Sequence, residues 1–189
     1  MPTKKELTDN LINECKNGNR DAFNELVLMY QDKVVSYAYG MLSNREDAYD
    51  AAQEIFIKVY KNISSFEGKA QFSTWLFRIS SNVCKDILRK RQVQPIHTSI
   101  NSSDFEGENK DIEDTRYTPE GALEKSERQR TVHRALSEIK KEYREIIIYC
   151  DIEENSYEET AKILDCPVGT VKSRLSRARI ALKKQLDKG

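Results

Sequence analysis

The chain has little of what metal and thiol chemistry require. Its four cysteines, Cys15, Cys84, Cys150 and Cys166, lie far apart with none of the paired spacings of a zinc site, and they read as reduced thiols. Only two histidines are present, His97 and His133, so neither a metal centre nor histidine-based catalysis has support, and no cofactor is expected. No apolar run opens the chain and none is long enough to span a bilayer, which predicts no signal peptide, no membrane span and a cytoplasmic protein. Net charge is also absent, since Lys+Arg and Asp+Glu are both 31.

That balance is a sum of unlike blocks. From Pro167 to the end there are seven basic residues against one acid, whereas Asp104 to Glu120 holds seven acids against two bases. The 189 residues suffice for one domain or two small ones. Periodicity decides for two, and for an all-α fold. Phe23, Leu26, Val27, Tyr30, Val34, Tyr37 and Met41 form one helical stripe, ended by a break at Ser43-Asn44. The next helix turns Ala48, Ala51, Ile55 and Val59 inward and leaves Asp47, Asp50 and Glu54 outside, as a solvated acidic face or as a docking face for a basic partner.

The stretch from Phe66 to Arg91 joins a polar loop to a helix with two faces. Leu76, Ile79, Val83 and Ile87 recur as an apolar stripe, while Arg78, Asn82, Lys85 and Arg89 recur on another face, followed by Lys90 and Arg91. Five cations against the single acid Asp86 suit a polyanion, with Asn82 as a possible base reader. In the loop, Phe66 and Phe72 flank Gly68 and Lys69, and aromatics beside a basic track suit unpaired bases. A charged helix end capped by core aromatics is the plainer alternative.

Periodicity stops over 92–118, a polar acidic segment that reads as a flexible linker. From Pro119 it returns, with Leu136, Ile139, Tyr143, Ile146 and Ile147 spaced to face a core. Ser156 to Glu159 reads as a capping box, Asp165-Cys166 as a turn and Pro167 as a first helical residue. In the last helix Val171, Leu175, Ala178 and Leu182 mark the buried side, leaving Lys172, Ser173, Arg174, Ser176 and Arg177 outside. Two short helices across a tight turn, the second basic, match a helix-turn-helix that reads a major groove.

Four motifs in order carry a family resemblance. Asp47 to Phe56 is similar to a D-A-x-D-x-x-Q-E-x-F segment, Phe72 to Ile79 to F-x-T-W-L-x-R-I, Tyr157 to Leu164 to Y-x-E-I-A-x-x-L, and Gly169 to Leu175 to G-T-V-K-S-R-L. Together they resemble the extracytoplasmic-function sigma factors of bacterial RNA polymerase. The resemblance implies two small helical domains, sigma domain 2 over 1–91 and sigma domain 4 over 119–189, joined by the 92–118 linker. It implies core RNA polymerase as partner, through the β′ clamp helices and the β subunit, together with promoter DNA and an anti-sigma factor. Asp47, Asp50, Gln53 and Glu54 would dock on polymerase. Phe66, Lys69, Phe72, Arg78, Ile79, Asn82, Lys85 and Arg89 would engage the −10 element, and Lys172, Ser173, Arg174, Ser176 and Arg177 the −35 element. No catalytic residue is implied. The family pattern is departed from at Tyr49, Thr160 and Lys140. Two other classes fit parts of the chain: a helix-turn-helix regulator that works without polymerase, and a DNA-processing enzyme such as a resolvase, which lacks an evident acidic metal cluster or nucleophilic serine here.

Overall fold

A computed structural model describes residues 3–93 and 131–188, and every regular element among them is helical. Short polar caps set the boundaries. Thr3 and Glu6 form a capping box at the start of α1 (Lys4–Lys16), Asn19 caps α2 (Arg20–Leu42) and Asn44 caps α3 (Arg45–Asn62). The α1–α2 turn contains Gly18 at φ 86°, a left-handed conformation that costs glycine nothing. A 3-10 turn (Ile63–Ser65) and a loop lead into α4 (Phe72–Val93).

In the second described stretch, residues 131–137 form α5, and α6 (Lys141–Ile147) widens into a π-type turn, Ile148–Ile152. The final pair is α7 (Tyr157–Leu164) and α8 (Val168–Leu186). Ser156 and Glu159 make the expected capping box, and Asp165 at φ 51° ends α7. Pro167 sits one residue earlier than expected, at the N-cap, where its φ of −61° serves equally well. Lys140 occupies the N-cap of α6 at φ −55°, a conformation that proline also adopts.

The first core joins Leu26, Val34, Tyr37 and Met41 of α2 to Ala48, Ala51, Ile55 and Val59 of α3 and to Leu76 and Val83 of α4. Phe23 and Val27 lie at its margin, half-buried. The second core joins Leu136 and Ile139 to Ile146 and Ile147 of α6, Ala161 of α7, and Val171, Leu175 and Ala178 of α8. Thr160, which departs from the apolar residue of the family motif, is fully buried in α7 with its hydroxyl 3.5 Å from the Cys150 sulfur, so its polar atom has a partner.

The two domains are packed together. Ile148, Tyr149 and Ile163 belong to the first core, and α7 lies against α4. Tyr149 stacks on Tyr37 and donates to the carbonyl of Phe77 at 3.2 Å. A Cβ placed on Gly40 would stand 2.8 Å from the Cδ1 of Ile148, and its three nearest neighbours all belong to that isoleucine. Arg144 donates to the carbonyls of Leu136 and Ser137, each at 2.7 Å, and across the seam to that of Met41. The linker expected over 92–118 and the domain start at Pro119 fall outside the described residues, apart from the end of α4.

Candidate nucleic-acid interface

The N-terminal half of α8 follows the turn directly. Because Val171, Leu175 and Ala178 point into the second core, Lys172, Ser173, Ser176 and Arg177 are exposed and Arg174 is half-buried. Lys172 lies 5.8 Å from the Tyr157 ring centroid, a cation over an aromatic face that steadies the long side chain. Ser173 donates to the carbonyl of Thr170 at 3.2 Å. Arg179, further along, is committed elsewhere: it forks onto Asp151 with bonds of 3.0 and 2.6 Å, fixing α8 to the π-type turn.

On α4 the polar stripe is assembled as expected, with Arg78, Asn82 and Arg89 exposed and Ile79 and Lys85 half-buried. Its cations are already paired. Arg78 is 3.5 Å from Asp165 in the helix-turn-helix turn, Lys85 is 3.0 Å from Glu145 of α6, and Arg89 bonds Asp86 at 3.0 Å within its own helix.

The loop before α4 differs from the sequence expectation. Phe66 and Phe72 are only 7% and 4% exposed, so neither offers a free face for base stacking. Their rings meet each other edge-on at 5.8 Å, Phe66 lies 5.2 Å from Trp75, and Phe72 lies 5.3 Å from Tyr30. Burial of large rings outweighs display, and the two aromatics hold the loop while Glu67 to Gln71 stay exposed. Lys16 secures the loop from α1 by donating to the Phe66 carbonyl at 2.6 Å. Lys69 pairs with Glu67. A cleft of about 800 Å³ opens between α1 and this loop, with Lys5, Lys16, Lys33, Lys69 and Lys162 among its walls.

On α3, Asp50, Gln53 and Glu54 are exposed, and Glu54 makes a 2.8 Å pair with Lys58 one turn on. Asp47 is different. Its carboxylate pairs with Arg91 at the end of α4, so it joins two helices as well as bordering the acidic face. Sequence reasoning missed Ile57, which is 54% exposed three residues beyond Glu54 and gives that face an apolar member. It also missed Glu145, whose burial beside Lys85 no helical spacing predicts. Among the described residues no group of three or more His, Cys, Asp or Glu is placed to hold a metal ion, and no helix is long and apolar enough to cross a membrane.

Residues 26–93 match the Sigma-70 region 2 family and residues 129–182 the Sigma-70 region 4 family. The chain is 37% identical to RNA polymerase sigma-H factor of Pseudomonas aeruginosa over 96% of its own length and 94% of that protein. It is 38% identical to ECF RNA polymerase sigma factor SigW of Bacillus subtilis, over 93% and 94% of the two chains. The chain belongs to the extracytoplasmic-function sigma factors. Among solved structures, this sigma factor resembles CnrH in complex with the cytosolic domain of CnrY at TM-score 0.70 and 24% identity, covering 96% of this chain and 98% of that one, a likeness of fold. It also resembles the sigma factor RpoE of Bartonella quintana, solved with the anti-sigma factor NepR, at TM-score 0.64 and 26% identity, covering 87% and 96%. As a sigma factor it binds core RNA polymerase and directs promoter-specific initiation. The matched relatives are RNA polymerase sigma factors, which supports initiation through polymerase over a helix-turn-helix regulator that works without it.

Proposed function

We propose that the sigma factor divides its work among three helices. The exposed Asp50, Gln53 and Glu54 of α3 dock on the β′ clamp helices, with Asp47 beside them and the β subunit contacted elsewhere. The α4 stripe around Asn82, with Arg78, Ile79, Lys85, Arg89 and the loop cation Lys69, grips the melted −10 strand, while Phe66 and Phe72 shape the loop from beneath. The N-terminal half of α8 reads the −35 duplex through Lys172, Ser173, Arg174, Ser176 and Arg177. Residues 1–91 and 119–189 act as separate functional units tethered by 92–118. The polymerase supplies the chemistry and this chain no catalytic group, and the pair works in the cytoplasm. Like the Bartonella RpoE solved with NepR, this chain takes an anti-sigma factor as partner.

The observation that carries the reading is the split of α8, which buries Val171, Leu175 and Ala178 and leaves a compact basic and hydroxyl-bearing face just after the turn. Side chains of this kind pair with base edges and phosphates of a duplex. The docking half is tested by Asp50→Lys with Glu54→Lys. Exposed charges contribute little to folding but control association, so the double variant should keep its helical content and lose holoenzyme assembly at least tenfold. Assembly at the unaltered level would reject the docking face.

A further inference from the structure

The second domain carries a buried carboxylate into the first. Glu145, with a side chain 3% exposed, accepts a hydrogen bond from the Ser81 hydroxyl at 2.5 Å and from the Tyr37 hydroxyl at 3.4 Å, and lies 3.0 Å from the Lys85 ammonium. Ser81 and Tyr37 are themselves 4% and 0% exposed, so two hydroxyl donors and a cation converge on one oxygen from beneath the seam. Lys85 stands one turn beyond Asn82 on the α4 stripe, and Arg78, one turn before Asn82, meets Asp165. Two carboxylates of the second domain therefore occupy two cations of the surface assigned to the melted strand. A carboxylate and a phosphodiester both present anionic acceptor oxygens, and hydroxyls and an ammonium serve either.

We propose that the pocket formed by Tyr37, Ser81 and Lys85 is a binding site for a backbone phosphate of single-stranded DNA, and that Glu145 is its removable plug. With the domains closed the carboxylate fills the site; with the domains apart the strand fills it. The inference rests on the assignment of α4 to the melted strand. The energetics suit an exchange. Attraction within a buried ion pair is largely offset by the desolvation of both partners, and seams between domains that bury polar groups tend to come apart. A strand entering the pocket gains the same donors and releases counterions, which the returning carboxylate does not.

Gly40 supplies the test, because its missing Cβ points only at Ile148 of the opposite domain. Gly40→Leu should wedge the seam at Ile148, where the two domains share core, and a helical content equal to that of the unaltered chain should separate opening from unfolding. The probe is a fluorescein-labelled mixed-sequence single-stranded oligodeoxynucleotide, read by anisotropy on the full-length free protein, with small-angle scattering to report separation. The variant should expand and bind the probe at least tenfold more tightly. Its salt dependence should steepen by about 0.7 for each phosphate that the released Lys85 and Arg78 take up from a single strand. Adding Ser81→Ala should remove at least a threefold part of the gain. Glu145→Gln should move affinity the same way by less, since the amide still accepts from Ser81 but no longer draws Lys85.

An expanded chain that binds no better, a gain indifferent to Ser81→Ala, or a wedge that leaves the scattering unchanged would each overturn the plug. Holoenzyme carrying Asn82→Ala separates this failure from that of the α4 assignment. Loss of promoter opening there, with Ser81 indifferent in the wedged chain, keeps α4 as the strand reader and rejects the plug. If neither substitution has an effect, both fall.

Discussion

Tyr149 lies on Tyr37 with ring centroids 5.0 Å apart and planes 20° from parallel, although the two residues belong to different domains. Phe77 meets both rings edge-on at 5.8 Å, completing a three-ring cluster across α2, α4 and the π-type turn. Both phenols are fully buried, and burial pushes their ionisation well above the ordinary range, so the cluster stays neutral at any working pH. It is a shared core, and each domain owes part of its stability to the other.

Tyr149→Ala should therefore cost about 3 to 5 kcal/mol, as emptying a large buried aromatic site does. Tyr149→Phe keeps the ring and loses the hydroxyl that donates to the Phe77 carbonyl, at a cost of about 1 kcal/mol. Urea titration followed by circular dichroism checks both. The alanine variant should also split one transition into two, since the element that couples the domains is gone. A single transition with an unchanged midpoint would show that the rings do not couple them.

The two DNA-reading surfaces should fail at different steps. Arg174→Ala should weaken binding of holoenzyme to closed promoter by about 1 to 3 kcal/mol, the worth of a base-edge contact in a duplex. Asn82→Ala should leave that step nearly intact and reduce opening, because its base is available only when unpaired. A premelted bubble template should partly rescue Asn82→Ala but not Arg174→Ala. Mobility shift reports the first step and permanganate reactivity the second. Equal loss of closed-complex binding in both variants would reject this division.

The seam also carries a pH-sensitive contact. His133 lies against Tyr39 with ring centroids 4.2 Å apart, its Nδ1 is buried without a hydrogen-bond partner, and burial lowers its pKa below the ordinary 6.5. A depressed imidazole pKa means that the folded, closed chain disfavours the proton. Its contribution is complete above pH 6.5 and is lost as pH falls through the lowered value. Glu153, paired with Lys33 at 3.7 Å on the same seam, is raised by burial and responds to acid in the opposite sense. The difference between wild type and His133→Phe isolates the histidine. Between about pH 7.5 and pH 5.5 the wild-type urea midpoint should fall further than the variant's, and parallel curves would remove His133 from the account.

Much of this arrangement is legible in the residues. Ser156 and Glu159, three apart before an apolar repeat, announce the start of α7, and Val171, Leu175 and Ala178 announce which side of α8 is buried. Such signals are local, and local hydrogen bonding satisfies them. The seam is not local. Helical spacing places Ile146 and Ile147 in a core, but Ile148 and Tyr149 continue the apolar run around the helix, which one core on one side cannot absorb. That excess was the available sign of a second surface, and the π-type turn is where the run passes from one core to the other. Nothing in spacing tells which partner it meets, nor that Glu145 meets Lys85. The two loop aromatics misled for a related reason: a phenylalanine beside a lysine has the same composition whether its ring faces a base or Trp75.

Arg144 has a kinetic consequence. Two of its three carbonyl partners, Leu136 and Ser137, belong to its own domain, and only Met41 lies across the seam. When the domains part, water replaces one acceptor while the other two continue to hold the guanidinium plane. The donor aimed at the end of α2 is thus still aimed after release, and its rotamer entropy has already been surrendered to the second domain's own fold. Reclosure need not wait for that side chain to find its orientation. A lysine here, with one flexible point charge, would have to search for the Met41 carbonyl afresh at every encounter.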